Sequence, residues 1–497
     1  MRRLPSGHTT LLAVLAGVAA VAGNYAVAGY TRSFVVAPID ALVVKLTPGA
    51  VVAVTIQTVG ESGHLLHIGL SVGLAVGLFA VASLAGRRVA ARTSPLAAGG
   101  LAGVLAWAVA AGSTGEPLLA VGAGLPLAVA TAASARIAAR PGEGSQPTPD
   151  PRRRRVIEAV TATVGFSGIA AVAGTVRSPE TELADAPGSE GVARRLQEAD
   201  DRALDLASDD LPGLVSEIES FYNVDIAEFD PEIPASEWSL TITGEVADDD
   251  RTITYDDLQE MPTEHRYVTL RCVGERLNGK KLDTAVWTGT PIEPLLDEVD
   301  PDSECGCVLL RGDDGYFVQY PVEVLESGFL AWGMNGKELP TAHGHPVRIL
   351  IPGHWGETNV KWLTEIELLE EEMDGYWEQR GWEGTGTVKT VAKLWNEGIT
   401  TLDDGRVELA GHAYAGTRAV SRVEVSTDGG DSWHDADLSE PLPDEDVWRQ
   451  WHYTFRPDGS HEVVVRATDS DGTVQVKDDA DRFPAGASGW VRRTVTE

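Results

Sequence analysis

Cysteine and basic residues are scarce in this chain of 497 residues, which has 3 Cys and only 40 Lys and Arg against 74 Asp and Glu. Three cysteines are too few for a disulfide-stapled secreted scaffold. The formal net charge of −34 excludes a nucleic-acid binder that relies on bulk positive charge, so we expect no nucleic-acid partner. The length also exceeds that of one ordinary domain.

The charge is divided unequally along the chain. Residues 1–177 carry 14 Lys and Arg against 6 Asp and Glu, a net charge of +8. The remaining residues carry 26 Lys and Arg against 68 Asp and Glu, a net charge of −42. We therefore expect the first part to face lipid and the second to face water.

Five apolar runs in the first part come close to the roughly 20 residues that cross a bilayer core. They lie at about 10–30, 64–86, 94–114, 116–138 and 156–176. A shorter apolar stretch at 42–56 contains Lys45 and Pro48, and it either lies on the outer surface or is re-entrant. We predict that residues 1–177 form a transmembrane region of about five closely packed helices, whose N-terminal run is not cleaved.

The positions of the arginines predict which ends of the helices face the cytoplasm. They precede the first run, follow the second and separate the fourth from the fifth: Arg2, Arg3, Arg87, Arg88, Arg92, Arg136, Arg140 and Arg152 to Arg155. All fall on the cytoplasmic side if the N-terminus is cytoplasmic. This predicts a multi-pass protein of the cell membrane with its C-terminal part on the extracytoplasmic side. Arg2-Arg3 and Arg152 to Arg155 fit twin-arginine export and plain anchoring equally well.

Few polar side chains interrupt the apolar runs. His64 and His67 lie near one helix end, where histidines are more often interfacial than ligands of a haem or a quinone site. Asp40 and Glu61 are likewise not assigned to a cofactor site. A membrane transporter is disfavoured, because the runs show no charged or broken helices that would line a path.

Acidic residues of the second part occur in scattered short runs, such as Asp248 to Asp250 and Glu370 to Glu372. This pattern indicates a solvated surface and not a docking tail. Because such charge repels itself in dilute buffer and salt screens the repulsion, we predict a halophilic, archaeal source. A divalent-cation buffer is the competing explanation, but the sequence has no twelve-residue calcium loop.

The acidic part divides into three segments. Residues 178–214 are predicted to be an acidic linker. From 215 to 380, strands such as 238–244 alternate with short helices such as 254–259, which predicts a mixed α+β domain. From 385 to 497, about seven short strands with intervening turns predict an immunoglobulin-like β-sandwich. The predicted fold class is therefore multidomain, an all-α transmembrane bundle followed by these two domains.

The cysteines have different contexts. Cys272 ends a predicted strand and precedes Val273-Gly274, a turn that can expose the thiol. A lone Cys at a strand end is more often a small buried hydrophobic residue. Cys305 and Cys307 suggest a metal half-site, but the sequence has no second pair, so we interpret them as structural.

An ordered series of motifs surrounds Cys272. It comprises Phe221-Tyr-Asn223, Trp238-x-Leu-x-Ile-x-Gly244, Thr269-Leu-Arg-Cys272-Val-Gly274, Trp287-Thr-Gly289, Leu330-Ala-Trp-x-Met-Asn-Gly336, Leu339-Pro-x-x-His343-Gly-x-Pro-x-Arg348 and Val360-Lys361-Trp362, and it is followed by Asp428-Gly-Gly-x-x-Trp433. Over roughly residues 215–480 the chain resembles the sulfite oxidase family of molybdopterin enzymes. The β-sandwich resembles the dimerisation domain of that family, which implies a homodimer.

The resemblance implies a molybdenum–molybdopterin cofactor. Cys272 would be the metal ligand and the catalytic residue, because a soft thiolate completes the coordination of molybdenum held by the pterin dithiolene. The other cofactor-binding residues would be Asn223, Gly312, Asp313, His343, Arg348, Asn359, Val360 and Lys361. Taken singly, Arg348 and Lys361 could be surface ion pairs, His343 a turn cap and Gly312-Asp313 an ordinary turn.

The sequence departs from the family at the substrate pocket. The family has two arginines after the metal cysteine, whereas this chain has Arg276-Leu277. Asn223 replaces another substrate arginine, and Trp382 replaces an active-site tyrosine. The predicted pocket residues are Arg276, Tyr376 and Trp382, although aromatic residues at a domain junction are as often packing residues.

These observations predict a membrane-anchored molybdenum-cofactor oxidoreductase that transfers an oxygen atom to or from a small substrate of the sulfite, sulfoxide or N-oxide class. Fewer arginines favour reduction of a neutral substrate over oxidation of an anion. The sequence has no haem domain of the cytochrome b5 type, so electrons must pass to or from a separate carrier or the membrane. The alternative is a non-catalytic, membrane-anchored binding or scaffold protein that keeps the fold without the cofactor.

Overall fold

The computed structural model describes residues 7–48, 51, 55, 63–90, 93–139, 151–177, 183–186, 188–244, 250–297 and 306–496. The chain forms two compact units. The first unit comprises Met1–Thr181 and Ala227–Asp230, and the second comprises Glu182–Ile226 and Pro231–Glu497.

The first unit is helical. Its helices are α1 (Gly7–Ala28), α2 (Val36–Leu46), α3 (Gly63–Ala90), α4 (Pro95–Thr114), α5 (Val121–Ala139) and α6 (Pro151–Arg177). Long helices thus occupy all five predicted apolar runs, and α2 covers the start of the shorter stretch at 42–56. Among the described residues, three helices are long and apolar enough to cross a membrane, namely α1, the Leu65–Val89 part of α3, and α4.

Small residues bring these helices close together. A Cβ added at Gly17 of α1 would lie 2.4 Å from the carbonyl oxygen of Val76 in α3. A Cβ added at Gly99 of α4 would lie 2.5 Å from the carbonyl oxygen of Ala128 in α5. Backbone approach at glycine is typical of membrane helices, which lack a hydrophobic driving force between them in lipid.

One polar cluster lies between α2 and α3. The Asp40 carboxylate is buried, and its Oδ1 lies 2.9 Å from Nδ1 of His67 and accepts a hydrogen bond of 2.8 Å from the Ser71 hydroxyl. His67 therefore has a protein partner in the described structure. Glu61 and the side chain of His64 lie outside the described residues.

The described part of the predicted linker belongs to the second unit. Helix α7 (Ser189–Arg202) buries Val192 and Ala199. Its Arg195 forms an ion pair of 2.7 Å with Asp444. Beyond the helix, the amide of Leu204 donates to the Gln450 side chain at 2.9 Å. Buried apolar residues and specific hydrogen bonds thus give this segment a fixed place that its acidic composition did not indicate.

The α+β domain of the second unit contains two five-stranded sheets. Its strands are β1 (Ser239–Gly244), β2 (Arg251–Thr254), β3 (Glu264–Arg271), β4 (Leu282–Pro291), β5 (Cys307–Gly312), β6 (Phe317–Pro321), β7 (Phe329–Met334), β8 (Lys337–Glu338), β9 (Arg348–Leu350) and β10 (Leu363–Leu369). One sheet has the order β2-β1-β10-β5-β6, and the other has the order β3-β4-β7-β8 with β9 paired to β7. Only β1 and β10 pair in parallel among these described strands.

Short helices complete this domain. They are α8 (Tyr255–Glu260), α9 (Glu293–Asp297) and α10 (Val322–Glu326). Thr254 begins α8 with a capping box, because its side chain accepts from the amide of Asp257 while the Asp257 carboxylate accepts from the amide of Thr254. These elements confirm the predicted α+β domain.

The C-terminal part of the second unit is a β-sandwich. Its strands are β11 (Val391–Ala392), β12 (Ile399–Thr401), β13 (Val407–Tyr414), β14 (Val420–Ser426), β15 (His434–Asp435), β16 (Asp437–Leu438), β17 (Arg449–Phe455), β18 (His461–Asp469) and β19 (Val491–Val495). One sheet has the order β11-β13-β17-β16 with β12 on β13, and the other has the order β15-β14-β18-β19. Buried residues of both sheets, such as Leu409 and Val465, form one core, as the prediction of a sandwich requires.

Cys307 lies at the start of β5 and is buried. It is disulfide-bonded, so its sulfur is not a free metal ligand. Cys305 lies outside the described residues.

Candidate functional site

Cys272 follows the last residue of β3 and begins a tight loop. Its amide donates to the carbonyl of Lys281 at 3.0 Å, and its carbonyl accepts from the amide of Glu275 at 3.3 Å. The thiol is free and half-buried. Burial raises the pKa of Cys272 to about 11, so the thiol is protonated at neutral pH, and a metal ligand at this position would have to lose that proton.

Charged residues from two domains hold this loop in place. Glu275 Oε1 lies 2.9 Å from Nε of Arg271 in β3 and 2.5 Å from Nζ of Lys393 in the β-sandwich domain. Glu275 Oε2 accepts from the amide of Lys281 at 3.0 Å. All three charged side chains, those of Arg271, Glu275 and Lys393, are almost completely buried. We call this Arg271–Glu275–Lys393 group the loop clamp.

A second cluster contains the predicted cofactor-binding cations. His343 ends a short 3-10 turn, Arg348 begins β9, and Lys361 lies just before β10. They are only 5%, 3% and 9% exposed, respectively. Arg348 donates to the carbonyls of His343 and Asn359, each at 3.1 Å. The structure therefore brings together residues that lie far apart in the chain.

Lys361 connects this cluster with the segment before β1. Its Nζ donates to the Asn223 side-chain oxygen, to Asp225 at 2.9 Å and to the carbonyl of Ala342 at 2.8 Å. The next residue, Trp362, has a positive φ of 48°, which is a strained conformation for a bulky residue. Strain of this kind persists only where the surroundings fix the backbone, and it is common at functional sites.

The charge state of the cluster favours an anion. Burial, with the charges of Lys361 and Arg348, lowers the pKa of His343 to about 3, so this imidazole is neutral. Burial lowers the pKa of Arg348 to about 10, so the guanidinium stays charged at neutral pH. No carboxylate of the described residues pairs with Arg348, and its Nε has no hydrogen-bond partner there. A buried, uncompensated cation is costly, and an anionic ligand such as a phosphate would remove that cost.

The remaining predicted cofactor residues adjoin the same cluster. Asn359 is buried, and its side-chain oxygen accepts from the amide of Ile351 at 2.7 Å. Val360 is buried, with its carbonyl accepting from the amide of Ile349. A Cβ added at Gly312 would lie 2.6 Å from the Lys361 carbonyl oxygen, and the amide of Asp313 donates to the carbonyl of Trp362 at 3.0 Å. All of these residues therefore line one region around Lys361.

Tyr222 links the thiol to the cation cluster. Burial raises its pKa well above the usual value, and the charges of Cys272 and Arg348 also act on it, in opposite directions. Its hydroxyl lies beside Gly356, where an added Cβ would be 2.9 Å away. Sequence reasoning included Tyr222 in a motif but did not assign it to the site. Asp225, the ion-pair partner of Lys361, was also missed because only the fold brings it there.

The predicted pocket residues separate into two groups. Trp382 lies beside the thiol loop, because a Cβ added at Gly274 would be 3.7 Å from both Cys272 Sγ and Cη2 of Trp382. Tyr376 is buried farther along the same aromatic cluster, and Trp377 contacts both of these side chains. The side chain of Arg276 is exposed.

Comparison with known proteins agrees with this arrangement. The model of the oxidoreductase molybdopterin-binding domain matches residues 227–377, and that of the Mo-co oxidoreductase dimerisation domain matches residues 387–482. Mitochondrial sulfite oxidase of Mus musculus is 28% identical over 301 residues, which are 49% of this chain and 54% of that protein. Residues 227–482 therefore carry a molybdopterin-binding domain and a dimerisation domain of molybdopterin oxidoreductases, and the chain is similar to sulfite oxidases.

Other relatives are similar to the chain over about the same number of residues. Mitochondrial sulfite oxidase of Homo sapiens is 29% identical over 301 residues, 49% of this chain and 54% of that protein. The NADH nitrate reductase of Volvox carteri is 27% identical over 304 residues, 48% of this chain and 35% of that protein. The chain thus spans about half the length of the sulfite oxidases it matches. The crystal structure of the sulfane dehydrogenase SoxCD from Paracoccus pantotrophus has a TM-score of 0.49 and 20% identity, covering 58% of this chain and 82% of that chain.

The site fits the molybdenum–molybdopterin cofactor of the sulfite oxidase family. Cys272 would provide one sulfur, and no group of three or more His, Cys, Asp and Glu that could hold a metal occurs in the described part of the chain. The other donors to a metal here would come from the pterin. The buried and uncompensated guanidinium of Arg348 suits the pterin phosphate.

Proposed function

We propose that the protein is a membrane-anchored molybdenum-cofactor oxidoreductase that removes an oxygen atom from a small neutral oxide, such as a sulfoxide or an N-oxide. The observation that carries this proposal is the indole of Trp382. Its Nε1 is buried and has no hydrogen-bond partner among the described residues. Its ring lies against Gly274 of the loop that carries Cys272.

An unpartnered buried donor is unfavourable unless a ligand accepts its hydrogen bond. The oxygen of a sulfoxide or N-oxide is a strong acceptor that carries no net charge. The surroundings of Trp382 are aromatic, because Phe483 and Trp377 lie 5.2 and 6.4 Å from it between ring centroids. A neutral substrate with an apolar substituent matches both features.

The cations near the thiol loop support a neutral substrate over an anion. Arg276 has an exposed side chain. Arg482, from the C-terminal domain, donates to the carbonyl of Gly274 at 3.1 Å. Arg271 and Lys393 belong to the loop clamp and bond to Glu275. A sulfite or nitrate ion would require a positive group directed at it. Arg271, Lys393 and Arg482 already bond to protein groups and Arg276 faces solvent, which leaves Lys281, whose charge acts on the thiol of Cys272.

The proposed reaction breaks the bond between the substrate heteroatom and its oxygen. Two electrons and two protons convert that oxygen to water and leave the sulfide or the amine. The cofactor, when bound, supplies the oxygen-transfer and electron-transfer chemistry. The protein residues orient the substrate oxygen through Trp382, exclude water with the aromatic cluster and fix the metal-binding thiol through the loop clamp.

Replacing Trp382 by Phe tests the substrate assignment. We expect kcat/KM for a sulfoxide or N-oxide, measured with a reduced redox dye, to fall about threefold to tenfold, because a neutral hydrogen bond contributes about 0.5 to 1.5 kcal/mol. Trp382→Tyr, which keeps a donor, should retain more activity. A wild type that oxidises sulfite but reduces neither sulfoxides nor N-oxides would contradict the proposal.

The first unit is proposed to anchor the enzyme, with the second unit on the extracytoplasmic side. Three helices with the required length and apolarity support this proposal, and so does the placement of arginines on one predicted side. Electrons would come from a separate carrier or from the membrane, and residues 385–497 would form a homodimer. Protease treatment of whole cells should digest the second unit, and its protection would contradict the proposed side.

A further inference from the structure

Glu357 lies between the thiol loop and the segment that carries Trp382. It belongs to the 3-10 turn Gly356–Thr358. A Cβ added at Gly356 would lie 2.9 Å from the Tyr222 hydroxyl and 3.1 Å from the carbonyl oxygen of Arg271, the residue before Cys272. A Cβ added at Gly384 would lie 1.9 Å from Glu357 Oε1. The Glu357 carboxyl group therefore fills a space that only glycine at 384 leaves open.

The Glu357 carboxyl group has no cationic partner among the described residues. Both of its oxygens and Oε1 of Glu378 are buried. The groups next to the Glu357 carboxyl are the backbone of Gly384 and the carboxyl group of Glu378. Two adjacent ionised carboxylates repel strongly in a water-poor site, so such a pair retains one proton. Burial, followed by the charge of Glu378, raises the pKa of Glu357 to about 8, and burial also raises the pKa of Glu378.

The other groups around the pair do not neutralise it. The Tyr316 hydroxyl donates to the backbone carbonyl of Glu357 at 2.8 Å, and burial raises the pKa of this tyrosine well above its usual value. Arg380, on the same turn as Glu378, places its guanidinium 3.5 Å from the centre of the Tyr376 ring. The charged groups that act on the pair or on Tyr316 are carboxylates, namely Asp314 and Asp374.

The pair lies between an exposed carboxylate and the thiol loop. The charge of Asp374, an exposed residue, contributes to the raised pKa of Glu378 after the effect of burial. Glu357 follows Gly356, where an added Cβ would lie 3.1 Å from the carbonyl oxygen of Arg271, the residue before Cys272. Burial raises the pKa of Cys272, and the charge of Glu357 adds to that effect.

We propose that Glu357 and Glu378 share one proton and deliver protons from solvent to the oxygen-transfer site. This proposal rests on the proposed function. In reduction of a sulfoxide or N-oxide, the heteroatom–oxygen bond breaks and the oxygen leaves as water after taking up two electrons from the carrier and two protons. The pair supplies these protons one at a time, and each is replaced from solvent through Glu378.

The test compares Glu357→Gln and Glu378→Gln with the wild type in the full-length, molybdenum-loaded protein. Glu372→Gln is the control, because Glu372 is exposed in the same segment. Infrared spectroscopy should detect a protonated carboxyl band that disappears as the pH rises through about 8, the pKa of Glu357. This band should be missing in Glu357→Gln and unchanged in Glu372→Gln, whether or not the protein turns over a substrate.

The kinetic measurement uses a reduced redox dye and a sulfoxide or N-oxide. At equal molybdenum content, we expect Glu357→Gln to lower kcat about a hundredfold, a typical contribution of a positioned proton donor, with KM unchanged. In the wild type, kcat should fall as the pH rises through about 8, the pKa of Glu357. In Glu357→Gln this fall should be absent. Glu378→Gln should show the same loss of proton delivery, and it is the second variant if Glu357→Gln does not fold.

The two proposals fail in different ways. A wild type with no carboxyl band attributable to Glu357, or glutamine variants with the kcat and pH profile of the wild type, would overturn the proton pair. A wild type that shows the band but reduces neither substrate class would leave the shared proton established and overturn the delivery of that proton to oxygen transfer, together with the proposed function.

Discussion

Cys272 is the residue on which the proposed chemistry depends most directly. Replacing Cys272 by Ser removes the soft sulfur donor while keeping a side chain of similar size. We expect turnover with a reduced redox dye to be abolished. The thermal unfolding temperature should stay near that of the wild type, because serine is of similar size and its hydroxyl can keep the hydrogen bond with the backbone of Gly274. Substantial residual turnover would contradict the role of Cys272 as metal ligand.

The sequence predicts the site residues that belong to short motifs. Cys272, His343, Arg348 and Lys361 each stand in a distinctive local pattern, and the structure brings the last three together. Glu357 has no such pattern. Its importance arises from burial against Gly384 and from the opposing carboxyl group, and both are tertiary contacts.

The loop between β3 and β4 is the element that joins the two domains of the second unit. Lys393 of the loop clamp is completely buried and bonds to Glu275 of this loop at 2.5 Å. Replacing Lys393 by Met leaves the buried Glu275 carboxylate with one cation fewer. We expect the free energy of unfolding to fall by about 3 kcal/mol, as for other broken buried ion pairs, in denaturant titrations of the full-length protein.

A second ion pair between the same two segments provides the control. Lys280 and Glu397 lie 2.6 Å apart, but the lysine side chain is 64% exposed. Lys280→Met should therefore lower the free energy of unfolding by less than about 1 kcal/mol. Equal decreases in the free energy of unfolding in the two variants would show that burial of the loop clamp does not increase its contribution to stability.

Strands with a clear alternation of apolar and polar residues, or with a short apolar run, were predicted well from the sequence. The alternation in 238–244 corresponds to β1, and the run at 308–311 lies within β5. The segment at 178–214 was predicted as a linker because its composition is acidic and polar. Helix α7 lies there within the second unit and buries two small apolar residues, Val192 and Ala199, and two residues give only a weak pattern.

At the scale of the whole molecule, the excess of acidic residues predicts dependence on salt. The residues after 177 carry a net charge of −42. The Debye length, over which such charges repel one another, falls from about 10 Å at 0.1 M to about 3 Å at molar ionic strength. We expect the melting temperature of the full-length protein in detergent to rise between about 0.1 M and about 3 M potassium chloride. Equal melting temperatures would contradict the proposed adaptation to high salt.

The second unit is proposed to carry a molybdenum cofactor held through Cys272, and metal analysis decides whether it does. The full-length protein would be purified at high salt from a host that makes the pterin, and molybdenum would be measured per chain. We expect about one molybdenum atom per chain, since each chain has one free cysteine in its described residues. A folded protein without molybdenum would contradict the proposed cofactor and favour a non-catalytic binding protein with the same fold.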